Sequence, residues 1–144
     1  MDLILTAHSA VTWALVGLIW VIQVVHYPLM ARVGEAHSQR YQTEHVTRIG
    51  GLVAPLMICE AALTMWLCIH ATTLHTPWLA WLGALLLMVV WSVTALWSVP
   101  AHTKLTSPNP AGALKRLVAT NWLRTAAWTG RGVVAALLAA PLAG

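Results

Sequence analysis

The stretch HTKLTSPNPAGALKRLVATNWLR (residues 102–124) decides the fold, because an earlier stretch, HYPLMARVGEAHSQRYQTEHVTR (residues 26–48), spaces its polar residues in the same way. Each begins with a histidine, carries a second polar residue 19 positions later and ends with an arginine three positions after that. One ungapped offset of 76 aligns His26 with His102, His45 with Asn121, Arg40 with Arg116 and Arg48 with Arg124. Because polar residues are scarce in this chain, these matches predict a duplicated helical hairpin with a polar cluster at one end.

The composition is typical of an integral membrane protein. The chain has 144 residues, of which 59% are hydrophobic and 8% charged, and its mean hydropathy is +0.73. A soluble domain carries roughly 25% charged residues, so we expect a single membrane domain over residues 1–144. Cys59 and Cys68 lie within an apolar run and are predicted to be small apolar fillers, not a disulfide or a zinc site.

Apolar runs separated by turn residues predict four membrane-spanning helices, at about residues 3–26, 38–69, 78–100 and 111–140. Pro28 is expected to end the first helix near His26, because a proline disfavours helical geometry at the residue before it. Residues 103–110, TKLTSPNP, have the proline, asparagine and serine content that is typical of a loop. The predicted fold class is all-α, an integral membrane four-helix bundle built from two parallel-repeat helical hairpins.

Lysines and arginines collect at one end of the predicted bundle. Four spans put both termini on one side, and the longer connections on the other side carry Arg32, Arg40, Arg48, Lys104, Lys115 and Arg116. The positive-inside rule makes that charged side cytoplasmic. We therefore expect a multi-pass protein with an N-out and C-out orientation.

A parallel repeat implies a pseudo-two-fold axis along the membrane normal, which brings equivalent residues together. Four residues are predicted to converge near the cytoplasmic interface: His26, His45, His102 and Asn121. Imidazole is a common ligand of transition metals, and three protein ligands with an open position suit catalysis. Glu60 is a possible fourth ligand, although helix rise places it roughly 18 Å deeper than Arg48.

Other interpretations of these residues remain open. The histidines are also typical of interfacial or helix-capping positions, and Glu60 is also expected to form an ion pair with Arg131 or Arg124. Four residues of the last helix recur at helical spacing on one face: Asn121, Arg124, Trp128 and Arg131. Such a face is typical either of a site or of a bundle interior joined by hydrogen bonds.

Four segments, about a third of the chain, resemble a family of small bacterial four-helix membrane proteins: QVVHYPLM (residues 23–30), RYQTEHVTRIGGLVAPLMICE (residues 40–60), VPAH (residues 99–102) and LVATNWLRTAAWTGR (residues 117–131). More distantly, the VPxH…NWLRT ending resembles the anthrone oxygenase-like membrane proteins, in which an N-x-x-R pair lies in helix 4. In that group an asparagine commonly stands where His102 stands here. The resemblance implies a bacterial inner (plasma) membrane and oxygenase chemistry on an aromatic substrate, while the extra histidines favour a bound metal or haem.

Together these observations predict a membrane-embedded, metal-dependent oxidoreductase or oxygenase. Its substrate would be a lipophilic small molecule that reaches the site from the lipid bilayer. The predicted ligands of a transition metal, iron or copper more than zinc, are His26, His45, His102 and Glu60. The predicted catalytic residues, which would orient ligands or substrate, are Tyr41, Asn121 and Arg124. The residues predicted to bind a cofactor or an anionic group are Arg48, Trp128 and Arg131.

Two alternative functions belong to other classes. The first is a haem- or quinone-binding membrane subunit, in which two histidines would be axial ligands and no substrate is converted. The second is a structural accessory subunit of a larger membrane complex, which predicts no bound metal. A homo-oligomer is compatible with all three functions, and no nucleic-acid partner is expected.

Overall fold

The structure, a computed structural model, describes residues 1–106 and 112–140, apart from the side chains of residues 35 and 36. Within these residues the chain is all-α and forms a bundle of four helices. Helix α1 is Asp2–Met30, α2 is Glu35–Ile69, α3 is Pro77–Leu105 and α4 is Ala113–Ala139. A 3₁₀ turn, Ala71–Thr73, lies between α2 and α3. The predicted start of the fourth helix at residue 111 lies outside the described residues.

Three of the described helices, α1, α2 and α3, are long and apolar enough to cross a membrane, as expected of a membrane protein. Helix α4 has 27 residues but carries more charge. Its two inner arginines, Arg124 and Arg131, are buried inside the bundle. Its outer face presents exposed apolar side chains: Trp122, Leu123, Val133 and Leu137. The charges of Arg124 and Arg131 therefore lie inside the bundle and not on its outer surface.

The four helices are arranged so that α1 lies diagonally across from α3, and α2 from α4. Both α2 and α4 contact α1 and α3, and α4 packs against them more extensively than α2 does. The central part of the core contains Leu15, Ile19, Val90 and Trp128. The looser packing of α2 leaves space beside it at the end that holds the predicted polar cluster.

Helices α1 and α3 each widen into one π-helical turn, at Ile22–His26 and Thr94–Ser98 respectively. Each turn ends two residues before a proline, Pro28 in α1 and Pro100 in α3, and the helix continues beyond it. A proline ring clashes with the carbonyl four residues earlier in an α-helix. In both helices that carbonyl lies inside the wider π turn, so the chain stays helical through the proline.

The helices therefore run further than the prolines predicted. The expectation that Pro28 ends the first helix is wrong, because α1 continues to Met30, and α3 likewise continues past Pro100 to Leu105. Of the predicted loop at residues 103–110, the first three residues are helical and Thr106 is a turn. Residues 107–110 lie outside the described part of the chain.

The internal repeat has a different register from the one that the histidines suggested. The two π turns and their prolines recur at an offset of 72, not 76. At this offset Ser98 is the counterpart of His26, and His102 lies four residues further along. Four residues are about one turn of helix, so both registers keep the matched residues on one face of the helix. The equivalence of His26 and His102 at offset 76 therefore stays a prediction, and the two π turns support an offset of 72 for α1 and α3.

Candidate functional site

A buried chain of hydrogen bonds joins the two π turns through α4. Asn121 Nδ2 donates to Gln23 Oε1 across 2.7 Å, and Arg124 Nη1 donates to Asn121 Oδ1 across 3.1 Å. The same arginine nitrogen lies 3.5 Å from Ser98 Oγ. Gln23 belongs to the π turn of α1 and Ser98 to that of α3. The two wider turns therefore supply both ends of a network that holds the Arg124 guanidinium.

Arg124 is buried, and no carboxylate in the described part of the chain compensates its charge. Its exposed fraction is 8%, and its Nε atom is buried with no hydrogen-bond partner among residues 1–106 and 112–140. Among the side chains that the structure describes, no Asp or Glu forms an ion pair with it. Its guanidinium lies 5.1 Å from the ring centroid of Trp128. A buried charge is costly unless it is paired, so this position favours binding an anionic group.

Arg124 lines a cavity of about 370 Å³. Small-molecule sites in proteins are typically about 300–1,000 Å³, so this cavity accommodates a ligand of modest size. Its ionisable lining residues are Tyr27, His45, His102 and Arg124. Its lining also includes the apolar side chains of Ile22, Ile49, Val53 and Met57. An apolar cavity with a few convergent polar groups is the usual form of a site for a lipophilic molecule.

Three histidines from three helices, His26, His45 and His102, lie against one another at the cavity end of the bundle. We call this group the imidazole stack. The ring centroids of His26 and His45 are 4.1 Å apart with planes inclined by 20°, and those of His45 and His102 are 5.9 Å apart and inclined by 37°. Tyr41 lies beside them, with its ring 6.1 Å from that of His26. The Gln42 amide nitrogen lies 2.5 Å from His102 Nδ1, and this contact fixes the orientation of that ring.

The stacked imidazoles do not fit a metal site. The nitrogen lone pairs of imidazole lie in the plane of the ring, so the face-to-face rings of His26 and His45 do not direct them at one point. Over residues 1–106 and 112–140, no group of three or more His, Cys, Asp or Glu side chains is placed to hold a metal ion. An axial pair of histidines would lie on opposite faces of a haem, and the 4.1 Å between His26 and His45 leaves no room for one.

Glu60 belongs to a second buried polar cluster and not to the imidazole stack. Its Oε1 accepts a hydrogen bond from Arg131 Nε at 2.8 Å, and its Oε2 accepts one from Trp128 Nε1 at 3.1 Å. Both partners in the ion pair are almost fully buried. Arg131 also donates to the Gly83 carbonyl and, across 2.9 Å, to Thr64 Oγ1. Both carboxylate oxygens are thus occupied, and the ion pair with Arg131 is the interpretation that the geometry supports.

The remaining predicted site residues divide between the two clusters and the surface. Of the predicted catalytic residues, Arg124 lines the cavity and Tyr41 lies outside the cavity. Asn121 accepts a hydrogen bond from the Arg124 guanidinium. Tyr41 and Arg48 are exposed and line an open groove along the outside of α2. The predicted cofactor-binding set therefore separates as well, because Arg48 is on the surface whereas Trp128 and Arg131 are in the core.

Four residues of the site were not singled out from the sequence: Gln23, Tyr27, Gln42 and Ser98. Gln23 and Ser98 are polar residues in apolar runs, each a few positions before a proline, and that coincidence is a usable signal. Gln42 lies within a polar segment where nothing distinguishes it from its neighbours. Its role depends on a contact with His102, 60 residues away in the chain.

The resemblance to the anthrone oxygenase-like membrane proteins rests in part on the pair Asn121 and Arg124, and it stays a prediction. In comparisons with known proteins, no protein family, no curated protein and no solved structure matches this chain.

Proposed function

We propose that this protein is a membrane-embedded oxidoreductase or oxygenase that binds a lipophilic small molecule through an ionisable oxygen. The observation that carries the proposal is Arg124, a buried guanidinium at the wall of a cavity of about 370 Å³. Its Nε has no hydrogen-bond partner among the residues that the structure describes. An anionic oxygen bound there would compensate the charge, and charge-assisted hydrogen bonds are stronger than neutral ones. The apolar part of the cavity suits the rest of such a ligand.

The side chains around the cavity supply acid–base chemistry. Oxidation of a phenol or hydroquinone, and oxygenation next to a carbonyl, both require the ligand to lose a proton. His45 and His102 line the same cavity as Arg124, and imidazole is the side chain used most often as a general base. Arg124 would stabilise the anion that the proton transfer leaves. An external electron acceptor, molecular oxygen for an oxygenase, completes the reaction.

The metal-dependent form of this function stays a prediction, and the described residues do not support it. A stoichiometric transition metal in the purified protein, absent from His102→Ala, would favour it over the form proposed here. The haem-binding subunit would be identified by a Soret band. A structural accessory subunit predicts that the cavity binds no ligand at all, so the binding experiment below also separates that alternative.

The membrane setting is part of the proposal. We infer a multi-pass protein of a bacterial inner membrane, with the imidazole end of the bundle facing the cytoplasm. Three helices that are apolar enough to cross a membrane support the membrane location. The lysines and arginines near the imidazole end of the bundle support the orientation. The cavity then lies in the cytoplasmic half of the membrane.

The test replaces Arg124 and compares an acid with its neutral analogue. Wild-type protein in lipid nanodiscs is expected to bind para-methoxybenzoate more tightly than para-methoxybenzamide, as measured by isothermal titration calorimetry against empty nanodiscs. Arg124→Gln removes the charge but keeps amide donors near Asn121 and Ser98. Because a hydrogen bond to a charged group contributes about 1.5–3 kcal/mol, the preference for the acid should fall by about 10- to 100-fold.

Arg48→Gln is the matched control, because Arg48 is an exposed arginine outside the cavity. It should keep the wild-type preference for the acid. An equal preference in wild type and Arg124→Gln, or its loss in Arg48→Gln, would contradict the proposal.

A further inference from the structure

The cavity opens to the side of the bundle, between α2 and α3. Four of its lining residues are exposed, and they lie on these two helices: Gly50 and Ala54 on α2, and Val99 and Thr103 on α3. The lining residues on α1 and α4 include Tyr27 and Arg124, which are buried. The mouth is therefore the gap between α2 and α3, and the closed end is formed by α1 and α4.

The mouth lies within segments that are long and apolar enough to cross a membrane. Exposed apolar side chains on these helices include Leu52 and Ile58 on α2 and Leu96 on α3. Arg48, a residue suited to the membrane–water interface, precedes Gly50 by two residues, about 3 Å of helix rise. The mouth therefore faces lipid just inside that interface.

We propose that this mouth holds the apolar tail of a membrane-resident amphiphile whose ionisable head group is bound in the cavity. The inference rests on the proposed function and names the class of its ligand. A cavity of about 370 Å³ encloses a ring-sized head at Arg124, whereas an alkyl or prenyl tail needs a path out. The gap between α2 and α3 is that path, and the lipid outside it is the tail's natural solvent.

Gly50 keeps the path open. It is exposed in the mouth, and a Cβ at this position would meet no atom of the described residues within 4 Å. A side chain added there therefore leaves the packing of the bundle intact and projects into the path of the tail. The neighbouring Gly51 is also exposed, and a Cβ there would also meet no described atom within 4 Å, but Gly51 does not line the cavity. The two glycines provide a matched pair of positions for a test.

The experiment compares Gly50→Leu with Gly51→Leu, using para-methoxybenzoate and para-dodecyloxybenzoate as head groups without and with a tail. Binding is measured calorimetrically in nanodiscs, with empty nanodiscs as the correction for partitioning. Gly50→Leu should weaken binding of the tailed acid by about tenfold or more, because an overfilled site is destabilised. Its affinity for the tail-less acid should stay within about twofold of wild type. Gly51→Leu should bind both acids as wild type does.

Val99→Trp narrows the mouth from the opposite wall, where Val99 is 55% exposed, and should reproduce the selective loss. Unchanged binding of the tailed acid in Gly50→Leu and Val99→Trp would overturn the proposal. An equal loss of affinity for both acids in both variants would also overturn the proposal, because the substitutions would then act on the binding of the head group. Failure of wild type to bind either acid would instead refute the proposed function itself.

Discussion

Two arginines of α4, Arg124 and Arg131, lie seven residues apart and have opposite electrostatic surroundings. Arg131 meets the carboxylate of Glu60, so its charge is compensated. Arg124 meets amide, hydroxyl and aromatic groups only, among the described residues. Trp128 lies between them, because its N–H donates to Glu60 while its ring faces the Arg124 guanidinium. The Glu60 carboxylate is therefore what distinguishes the two residues: Arg131 is paired with it in the core, whereas Arg124 is left suited to bind an anionic ligand.

Removing Arg131 should therefore destabilise the fold. Arg131→Met leaves the Glu60 carboxylate buried and without its cation, and breaking a buried ion pair in this way costs about 3–5 kcal/mol. The double variant Glu60→Leu/Arg131→Met removes both charges and should recover a large part of that loss. The measurement is the free energy of unfolding by sodium dodecyl sulfate in mixed micelles.

Arg40→Met provides the control for losing an arginine as such, because Arg40 pairs with Glu44 at the surface, where the Arg40 side chain is 86% exposed. Exposed ion pairs contribute little, so this variant should unfold like wild type. A double variant less stable than Arg131→Met would contradict the account of Glu60 as a paired buried charge.

At the scale of the element, the π turn of α3 keeps one face of the helix directed inward. The buried positions advance by three or four residues from Gly83 through Leu87 and Val90 to Val93, and then by five to Ser98. The wider turn absorbs the additional residue, so Ser98 still faces Arg124. Proline alone does not produce such a turn, because Pro55 lies inside α2 in ordinary α-helical backbone.

Deletion of Ala95, an exposed residue of the π turn, should be tolerated. It reduces the step from Val93 to Ser98 to four residues, so an α-helical turn can replace the π turn without rotating the rest of α3. Pro100 would then lie in ordinary α-helical backbone, as Pro55 does in α2. Deletion of Met88, which is 61% exposed in the regular part of α3, should rotate all later residues by about 100° relative to the earlier ones.

Size-exclusion profiles and thermal unfolding in detergent distinguish the two deletions. The Ala95 deletion should remain monodisperse with a melting temperature near that of wild type, whereas the Met88 deletion should aggregate. Equal damage by both would show that the extra residue of the π turn is indispensable, and would contradict this interpretation.

At the scale of the whole molecule, the two ends of the bundle differ in charge. The connection from α2 to α3, residues 70–76, contains no lysine or arginine, whereas the end with the imidazole stack is flanked by Arg48 and Lys104. This asymmetry is the basis of the proposed orientation, since basic connections are retained in the cytoplasm.

Cysteine labelling in intact bacterial cells checks the orientation. In a background with Cys59 and Cys68 replaced by alanine, Thr73→Cys should react with a membrane-impermeant maleimide from outside, because Thr73 lies exposed in the uncharged connection. Gly34→Cys, before α2 at the charged end, should react only after the cells are permeabilised. The opposite labelling pattern would show that the protein has the reverse of the proposed orientation.

The amino-acid sequence by itself determined the class of fold. A chain that is 59% hydrophobic and 8% charged has to satisfy its backbone hydrogen bonds internally when it lies in lipid, and helices achieve this within one segment. The apolar runs therefore predicted four helices, and the all-α bundle is confirmed. Helical spacing also predicted that Asn121 and Arg124 share one face of the last helix, and both are buried inside the bundle.

The tertiary structure alone decided the details on which function depends. It decided that Pro28 and Pro100 follow π turns and do not end their helices. It decided that the rings of His26 and His45 stack face to face, and that Glu60 pairs with Arg131. Each of these depends on the distance and rotation between helices that are far apart in the chain. Local sequence specifies a helix and its faces, but the packing of neighbouring helices determines which side chains meet.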